Sequence, residues 1–329
     1  MKEEVMLIGE KTVEKYLTPE DVIRRVEEVW KWYGQGGVVM PSKITLDMEK
    51  LGAKGWINSM PSYILQTDLA GIKWVGGFAD NPKNGRPFIK AKVLLTDPRT
   101  GDLKALISGD LISDLRTGAQ PAVMAKYLAA KTDIVTIIGA GTQGYTSLLC
   151  MSKILSIKEV RVCDINAKAR ENFIGRFMPG APFKMISCDS NEQACRGSDI
   201  IITVTTADAP LVQEPWVKEG ALVMAMGSFS ETSEDLVRKA DKLIVDHIGQ
   251  ALHRGNLAKM AARGEITAES FAAELPYVIA GLSKGRENKK ERIVAGLIGM
   301  GALDAGIAAL VYQRILESGE PVATVDLSN

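Results

Sequence analysis

The sequence predicts an α/β protein in which a domain with a parallel sheet is inserted into an α+β domain. Three observations predict this fold class. Short apolar runs separated by turn residues fill 38–107, strand-like runs alternate with helical stretches after Lys131, and a helical stretch covers 304–317. Alternating strands and helices are typical of a parallel sheet with crossover helices. The last helix is expected to return to the first domain, so that domain is discontinuous in sequence.

The first half of the chain opens with a well-marked helix. Thr18 suits its N-cap, Pro19 suits its first position, and Asp21 completes an acidic variant of the capping box. Apolar side chains then recur on one helical face as far as Tyr33, and glycines at 34, 36 and 37 end the helix. In the strand-and-turn segment that follows, strands are predicted at Gly71–Val75, Ala91–Leu95 and Leu103–Ile107.

The second half of the chain is predicted to hold the parallel sheet. A helix from near Asp110 or Gln120 to Ala130 leads into it. Five short apolar runs then predict its strands, at Ile134–Ile138, Val160–Cys163, Ile200–Thr205, Ala221–Met226 and Leu243–Val245. The apolar stretch Ile293–Val311 carries Asp304 and four glycines, so we expect a buried turn and a core helix there rather than a membrane span.

Composition excludes several classes of partner. The 329 residues correspond to about two domains. Forty lysines and arginines balance forty aspartates and glutamates, and aromatic residues make up 6% of the chain. A nucleic-acid-binding protein or a polybasic membrane anchor needs an excess of positive charge, so we expect neither nucleic acid nor membrane as a partner. The N-terminus also lacks the apolar core of a signal peptide.

The cysteines and histidines predict no metal site. The four cysteines form no C-x-x-C pair and have no histidine nearby; they are Cys150, Cys163, Cys188 and Cys195. We expect reduced, mostly buried thiols and a cytoplasmic protein. The chain has two histidines, which excludes a mechanism that needs several.

A glycine-rich segment is the most informative motif. It runs from Ile134 through Gly139, Gly141 and Gly144, with a predicted strand before it and a helix-compatible stretch after it. In a Rossmann-type turn the first glycine allows the tight strand-to-helix bend, the second lets a pyrophosphate approach the backbone, and the third lets the helix pack on the strand. The free N–H groups of the helix then face the phosphates. The alternative is a flexible surface loop.

Asp164 supplies the acidic partner of this turn. It lies at the end of the next predicted strand, 20 residues beyond Gly144. A carboxylate there accepts hydrogen bonds from the ribose 2′-OH and repels a 2′-phosphate. Because no arginine directly follows Asp164, the sequence predicts NAD(H) as the cofactor in preference to NADP(H).

Two basic residues stand in apolar surroundings. Lys73 lies inside a strand-like run, where it either points to solvent from a half-exposed strand or lines a cleft and binds a carboxylate or transfers a proton. Arg116 precedes a predicted helix. In one interpretation it forms a surface salt bridge with Asp114 or Asp110. In the other, its guanidinium binds a carboxylate or a phosphate through bidentate hydrogen bonds.

Several segments together resemble the ornithine cyclodeaminase/μ-crystallin family. The resemblance spans nearly the whole chain in order, and its most specific part is the Arg-Thr-Gly-Ala segment shortly before the glycine turn. The matching segments are Val39-Met40-Pro41-Ser42-Lys43, Ser59-Met60-Pro61-Ser62-Tyr63, Gly71-Ile72-Lys73, the run 94–101, Leu115-Arg116-Thr117-Gly118-Ala119, the run 139–144, the run 199–206 with Pro210, Ala225-Met226-Gly227-Ser228, and the run 299–304.

The resemblance implies a homodimer built from two kinds of domain. Residues 1–118 with 304–329 would bind the substrate and form the dimer, and residues 119–303 would be a Rossmann-type NAD-binding domain. Lys73 and Arg116 would hold an amino-acid carboxylate beside the nicotinamide and are the candidate catalytic residues. The candidate substrate contacts are Lys43, Met60, Lys73, Arg116 and Phe229. The candidate cofactor contacts are Thr117, Gly139, Gly141, Thr142, Gln143, Gly144, Asp164, Thr205, Thr206, Met226, Gly227 and Ser228.

Two positions depart from the pattern of the family. Lys43 stands where family members usually carry an arginine, so the positive charge remains but bidentate hydrogen bonding to a carboxylate is lost. Phe229 stands where cyclodeaminases and alanine dehydrogenases of the family typically carry an aspartate that handles the substrate amine. A phenyl ring accepts neither a proton nor an ammonium hydrogen bond, although Glu231 or Asp235 could reach in.

Three functions remain open from the sequence. The first is an NAD(H)-dependent oxidoreductase acting on an α-amino or α-imino acid, that is, an amino-acid dehydrogenase or an imine or ketimine reductase. The second is an ornithine cyclodeaminase, which converts ornithine to proline and ammonia and recycles NAD within the site. The third is a non-catalytic, crystallin-like binder of small molecules. If Lys90 and Lys92 point inward, the substrate would carry a second carboxylate.

Overall fold

A computed structural model describes residues 3–207 and 209–328 of the chain. The chain divides into two compact units. The mixed-sheet unit consists of the residues up to Arg116 and those from Met300 onward, and the parallel-sheet unit is Thr117–Gly299. The boundaries expected from the sequence lie after residues 118 and 303.

The helices and strands are numbered in chain order. In the first part of the chain they are β1 (Glu4–Ile8), α1 (Glu10–Tyr16), α2 (Pro19–Gly34), β2 (Val38–Val39), β3 (Ile44–Asp47), β4 (Gly55–Ile64), β5 (Leu69–Phe78), β6 (Ile89–Thr96), β7 (Leu103–Ser108) and α3 (Asp110–Leu128). In the middle part they are β8 (Ile134–Ile138), α4 (Thr142–Ile154), β9 (Glu159–Cys163), α5 (Ala167–Phe177), β10 (Lys184–Cys188), α6 (Asn191–Cys195), β11 (Ile200–Thr203), β12 (Leu222–Met226), α7 (Glu234–Arg238), β13 (Lys242–Val245), α8 (Ile248–Ala251), α9 (Ala258–Ala262), β14 (Ala273–Glu274), α10 (Leu275–Ile279) and β15 (Ile293–Leu297). The last two are α11 (Gly301–Ser318) and β16 (Ala323–Asp326).

The mixed-sheet unit is built on one sheet with helices on one face. Its strand order is β16-β1-β7-β6-β5-β4-β2, with β3 paired to β4, and all neighbours are antiparallel except β1 and β7. Helix α11 packs on β4, β5 and β6 and also on α2. Because side chains alternate along a strand, Lys73 and Val75 of β5 face the helices, whereas Ile72 and Trp74 face outward.

The two long helices of this unit are joined by a charged contact as well as by their apolar faces. Thr18 caps α2 with the predicted capping box, in which Asp21 bonds back to the Thr18 backbone. The guanidinium of Arg314 on α11 donates two hydrogen bonds of 2.6 Å to the Asp21 carboxylate. Helix α11 therefore returns to the first half of the chain, as expected.

The parallel-sheet unit is a doubly wound α/β domain. Its strand order is β10-β9-β8-β11-β12-β15-β13-β14, and every neighbouring pair is parallel. The strand order changes direction beside β8, since β9 and β10 lie on one side of it and β11 and β12 on the other. Ligands of open parallel sheets bind at such a point, outside the carboxyl ends of the strands. The predicted glycine turn directly follows β8. The four cysteines of this unit are buried and form no disulfide.

The structure corrects three expectations about elements. The stretch 293–297, expected as part of a buried turn, is strand β15 in the middle of the parallel sheet; a fully buried apolar run has the same pattern in a strand and in a helix. Strand β4 was not anticipated, because its Asn58, Ser59 and Pro61 are typical of turns. Helix α11 begins at Gly301, three residues before the predicted start. Over the described part of the chain, every helix is too short or too polar to span a membrane.

Candidate active site and cofactor site

The mixed-sheet unit contains a buried cation cluster, which we define as Lys73, Ser113, Arg116 and Asp304. Lys73 on β5 is fully buried, so the solvent-facing alternative is wrong. Its Nζ lies 2.8 Å from Asp304 Oδ1 on α11 and donates a 2.8 Å hydrogen bond to Ser113 Oγ on α3. Three elements that are distant in sequence therefore converge on one ammonium group.

Arg116 joins the cluster through the same carboxylate oxygen. Its Nε donates a 3.1 Å hydrogen bond to Asp304 Oδ1. The side chain keeps only 10% of its surface exposed, so Arg116 is not a surface residue, although Asp114, one of the two partners expected for it, does interact with it electrostatically. The other carboxylate oxygen, Asp304 Oδ2, is buried and has no hydrogen-bond partner among the described residues. Both cations therefore share one oxygen of Asp304, and the carboxylate of Asp114 also interacts electrostatically with both.

Burial and neighbouring charges shift the pKa values in and beside the cluster. Burial, helped by the nearby Arg116 charge, lowers the pKa of Lys73 to about 8 although Asp304 opposes the shift. Burial alone would raise the pKa of Asp304, but the charges of Arg116 and Lys73 outweigh it and hold that pKa below its usual value. Burial and the charge of Asp110 raise the pKa of Asp114 to about 6. A lysine titrating near neutrality is suited to proton transfer.

The other expected substrate residues have different surroundings. Met60 on β4 is buried against Val75 and Ala91 in the mixed-sheet unit, and Lys43 is half-buried shortly before β3. Phe229 follows β12 in the parallel-sheet unit and keeps 36% of its surface exposed. It lines a cavity of about 310 Å³ together with Ser228, Ser230, His253, Arg254, Gly255, Ala258 and Lys259.

A second substrate carboxylate was expected only if Lys90 and Lys92 point inward, and both ammonium groups have other partners. Lys90 Nζ pairs with Asp110 Oδ2 at 2.5 Å. Lys92 Nζ donates to the carbonyl of Ala91. Neither ammonium group is part of the cation cluster.

The glycine turn has the conformation that each glycine was expected to provide. Gly139 adopts φ +112°, a left-handed region that favours glycine. A Cβ on Gly144 would lie 2.1 Å from the Gly139 carbonyl oxygen, so only glycine lets α4 pack this closely on the end of β8. A Cβ on Gly141 would meet no atom within 4 Å, so open space lies in front of this residue. Thr142 is exposed and Gln143 is half-buried at the start of α4.

Asp164 lies beside this turn, immediately after β9. Its Oδ2 accepts a 2.8 Å hydrogen bond from the Ala140 N–H, and its Oδ1 accepts one from the Asn166 N–H. Ile165 next to it is fully exposed, which is unusual for a large apolar side chain. Arg170, six residues on, contacts the Asp164 carbonyl but also donates to Asp189 and Ser187.

The remaining expected cofactor residues lie in the middle of α3 and at the ends of β11 and β12. Thr117 is a half-buried residue of α3, Thr205 and Thr206 follow β11, and Met226 ends β12. Gly227 has φ +95° and turns the chain beyond β12, where Ser228 is exposed. The ends of β11 and β12 belong to the same carboxyl edge of the sheet as the glycine turn.

Glu231 and Asp235, the two carboxylates that follow Phe229 in the sequence, have different surroundings. Glu231 is fully buried, and its Oε1 accepts hydrogen bonds from the N–H and the hydroxyl of Thr205. Burial raises the pKa of Glu231. Asp235 lies on α7 with 72% of its side chain exposed and pairs with Arg238. Glu231 thus connects two loops, and Asp235 is a surface residue.

Sequence reasoning missed Asp304 and Ser113 as members of the site. In the sequence, Asp304 argues against a membrane span and ends the matching run 299–304, but it is not assigned to the site. A lone carboxylate in an apolar stretch was itself the signal, because a buried charge needs a partner of opposite charge. Ser113 carried no signal of its own.

Comparison with known proteins identifies the family of the chain. A family model described as the ornithine cyclodeaminase/mu-crystallin family matches residues 2–319. The chain belongs to the ornithine cyclodeaminase/mu-crystallin family. An alanine dehydrogenase of Archaeoglobus fulgidus is 31% identical over 317 residues, which are 95% of this chain and 96% of the relative. The resemblance found in the sequence is therefore confirmed.

Two solved structures of this family share the whole fold. An archaeal alanine dehydrogenase dimer with bound NAD has a TM-score of 0.91 and 29% identity, covering 99% of this chain and all of that one. A Thermococcus litoralis Delta(1)-pyrroline-2-carboxylate reductase in complex with NADH and L-proline has a TM-score of 0.89 and 32% identity, with 99% and 100% coverage. The α/β fold class with a Rossmann-type domain is confirmed.

Proposed function

We propose that the protein is an NAD(H)-dependent oxidoreductase that interconverts an α-imino acid and the corresponding α-amino acid. The observation that carries the proposal is the buried cation cluster. Lys73 and Arg116 share a single carboxylate oxygen of Asp304 at 2.8 and 3.1 Å, so two buried cations lie side by side. Two adjacent cations of this kind are suited to binding an anionic group, and a substrate carboxylate is such a group.

NAD(H) fits the residues of the parallel-sheet unit. The space in front of Gly141 admits a pyrophosphate at the N-terminal end of α4, which spans 13 residues and offers free N–H groups there. Asp164 offers its carboxylate to a ribose 2′-OH, and the exposed Ile165 offers an apolar surface to an adenine ring. A 2′-phosphate would be repelled by Asp164, and Arg170 is already held by Asp189, so the proposal is NAD(H) in preference to NADP(H).

The chemistry divides between the cofactor and this chain. Bound NADH supplies the hydride that adds to the carbon of the C=N bond. Lys73 and Arg116 hold the substrate carboxylate, and Lys73 donates a proton to the amine nitrogen from its ammonium form. In the direction of amino-acid oxidation, neutral Lys73 takes that proton back. Burial of the cluster excludes water that would otherwise hydrolyse an imine.

Phe229 favours this oxidoreductase over a cyclodeaminase. Release and recapture of ammonia need a group that accepts protons from the substrate amine, and a phenyl ring has none. Glu231 is fully buried with its Oε1 bound by Thr205 and its Oε2 without a partner among the described residues, and Asp235 pairs with Arg238 on the surface. Reduction of a preformed imine needs only a carboxylate clamp and a proton donor, and both lie in the cation cluster.

We also propose that the protein is a homodimer that uses the outer face of the mixed sheet. The alternation along β3 and β5 places Ile44, Leu46, Ile72 and Trp74 on this face, with exposures of 71%, 57%, 38% and 56%. The register joins them into one patch, because Ser59 of β4 pairs with both Ile44 and Trp74. Exposed apolar patches of this kind mark interfaces, and the archaeal alanine dehydrogenase structure is described as a dimer.

The four free, buried thiols support a cytoplasmic location.

A substrate panel tests the proposed activity. Purified protein is mixed with NADH or NADPH and with cyclic imino acids or with 2-oxo acids plus ammonia or methylamine, and loss of reduced cofactor is followed. We expect NADH to be consumed with at least one imino acid, and the matching amino acid with NAD⁺ to regenerate NADH. Conversion of ornithine to proline and ammonia without net NADH would instead establish a cyclodeaminase. Tight NADH binding with no turnover of any substrate would establish a binding protein.

A further inference from the structure

The cation cluster leaves one donor and one acceptor open. The Lys73 ammonium has three hydrogens, and the described residues accept two of them, at Ser113 Oγ and Asp304 Oδ1. Asp304 has two oxygens, and only Oδ1 is used. An open N–H and an open carboxylate oxygen therefore belong to groups that are already paired with each other.

The open oxygen is a strong acceptor that needs a donor. Asp304 is completely buried, and the neighbouring cations hold its pKa below the usual value, so it is ionised at neutral pH. Buried carboxylate oxygens are nearly always hydrogen-bonded, and an unpaired one costs free energy. Its position in the first turn of α11 stabilises the negative charge but provides no donor for Oδ2.

We propose that Asp304 is a catalytic residue whose free oxygen Oδ2 accepts the N–H of the substrate's C=N group while Lys73 and Arg116 bind the carboxylate. This inference rests on the proposed function. An α-imino acid in its protonated form has a carboxylate that accepts and a nitrogen that donates, and the open donor and acceptor of the cluster match these two groups. Asp304 would thereby take over the contact with substrate nitrogen that Phe229 cannot make.

The proposed contact also aids the hydride step. Hydride addition to the carbon converts the C=N π pair into a lone pair on nitrogen, and the nitrogen keeps its N–H throughout. Before that step the nitrogen is positively charged, and Asp304 stabilises this reactive form over the neutral imine. The resulting amine, no longer positively charged, is then protonated by Lys73. The role defines a substrate class, namely protonated imines, and it excludes N,N-disubstituted iminium ions, which have no N–H to donate.

Three planar carboxylates test the contact in the NADH-bound wild-type protein. Pyrrole-2-carboxylate carries a ring N–H, N-methylpyrrole-2-carboxylate carries a methyl group there, and furan-2-carboxylate carries an oxygen acceptor there. We expect calorimetry to give about tenfold or greater preference for pyrrole-2-carboxylate over the other two. Equal affinities for all three would overturn the proposal, and this arm does not depend on any variant.

Asp304→Asn then assigns the preference to this residue. The amide keeps the shape but places an N–H₂ group at one of the two positions, so we expect the preference for pyrrole-2-carboxylate to fall to less than about twofold. Asp68→Asn, an exposed carboxylate of the same unit, is the matched control and should keep the wild-type preference. A folded Asp304→Asn protein with the wild-type preference would overturn the proposal. Imino-acid reduction by the wild type is measured separately, so failure of the proposed function remains distinguishable from failure of this contact.

Discussion

Lys73 and Asp304 form an ion pair of 2.8 Å in which the two side chains are 1% and 0% exposed. Buried ion pairs are weak stabilisers, because desolvation of both charges offsets their attraction. Here a second cation, Arg116, shares the same carboxylate oxygen, so two buried cations lie side by side. We interpret the cluster as a site that is completed by an anionic substrate.

The protonation state of Lys73 predicts opposite pH dependences for the two directions. Burial lowers the pKa of Lys73 to about 8, so the ammonium donor is present below that pH and is lost above it. We expect kcat for imine reduction to fall as pH rises through about 8, and kcat for amino-acid oxidation to rise over the same range. Lys73→Met should lower kcat by about 100-fold or more and abolish this inflection. Unchanged pH profiles in Lys73→Met would contradict the assigned role.

Arg116 is predicted to hold the substrate carboxylate with the geometry of its guanidinium. Arg116→Lys keeps the charge but loses the fork, so we expect kcat/KM for the imino acid to fall by about tenfold to a hundredfold, mostly through KM. Arg99→Lys is the matched control, because Arg99 is an exposed arginine of the same unit that pairs with Asp68. If both variants kept wild-type kinetics, Arg116 would have no part in substrate binding.

Gly141 and Gly144 are predicted to fail in different ways when changed to alanine. Gly141→Ala meets no protein atom within 4 Å, so the fold should be unchanged while the new methyl group obstructs the pyrophosphate and raises the Kd for NADH by about tenfold or more. Gly144→Ala places a Cβ 2.1 Å from the Gly139 carbonyl oxygen, so we expect a loss of about 1–3 kcal/mol in the free energy of unfolding. Thermal unfolding and NADH titration of both variants measure the two effects. Wild-type NADH affinity in a folded Gly141→Ala protein would argue against phosphate binding at this turn.

Asp164 is predicted to set the preference between the two nicotinamide cofactors. Asp164→Ser removes the charge that repels a 2′-phosphate and weakens the contact with a 2′-OH. We expect KM for NADH to rise about tenfold and KM for NADPH to fall, as measured by initial rates with a fixed imino acid. Asp189→Ser removes the one carboxylate that Arg170 donates to and should lower KM for NADPH further when combined with the first change. A wild-type protein with equal KM values for both cofactors would refute the assigned selectivity.

Local signals in the sequence were sufficient for much of the fold. The capping residues of α2 and the three glycines after β8 determine the conformation of only the few residues around them. Their effect can therefore be predicted from the local sequence alone. Strand β15 was missed because a run buried on both faces lacks the alternation that distinguishes a strand from a helix. Strand β4 was missed because its polar residues and Pro61 disfavour a strand locally. Pairing with β5, a tertiary contact, allows these residues in the strand.

The candidate site was only partly predictable for a related reason. Lys73 and Arg116 were visible as charges in apolar surroundings, but their environment depends on which residues α11 brings to them. Asp304 is remote in sequence, so nothing local identified it as the shared partner. Burial also decides the protonation of Lys73, and burial of a single strand residue depends on the helices that cover it.

Transfer of deuterium from NADH labelled at C4 of the nicotinamide tests the central claim most directly. The wild-type protein is incubated with an imino acid that it reduces and with each of the two labelled forms of NADH, and the amino acid is analysed by mass spectrometry and proton NMR. We expect one labelled form, and only one, to place a single deuterium on the α-carbon of the product. Absence of deuterium from the α-carbon with both forms, or absence of any amino acid formed, would contradict direct hydride transfer to the imine.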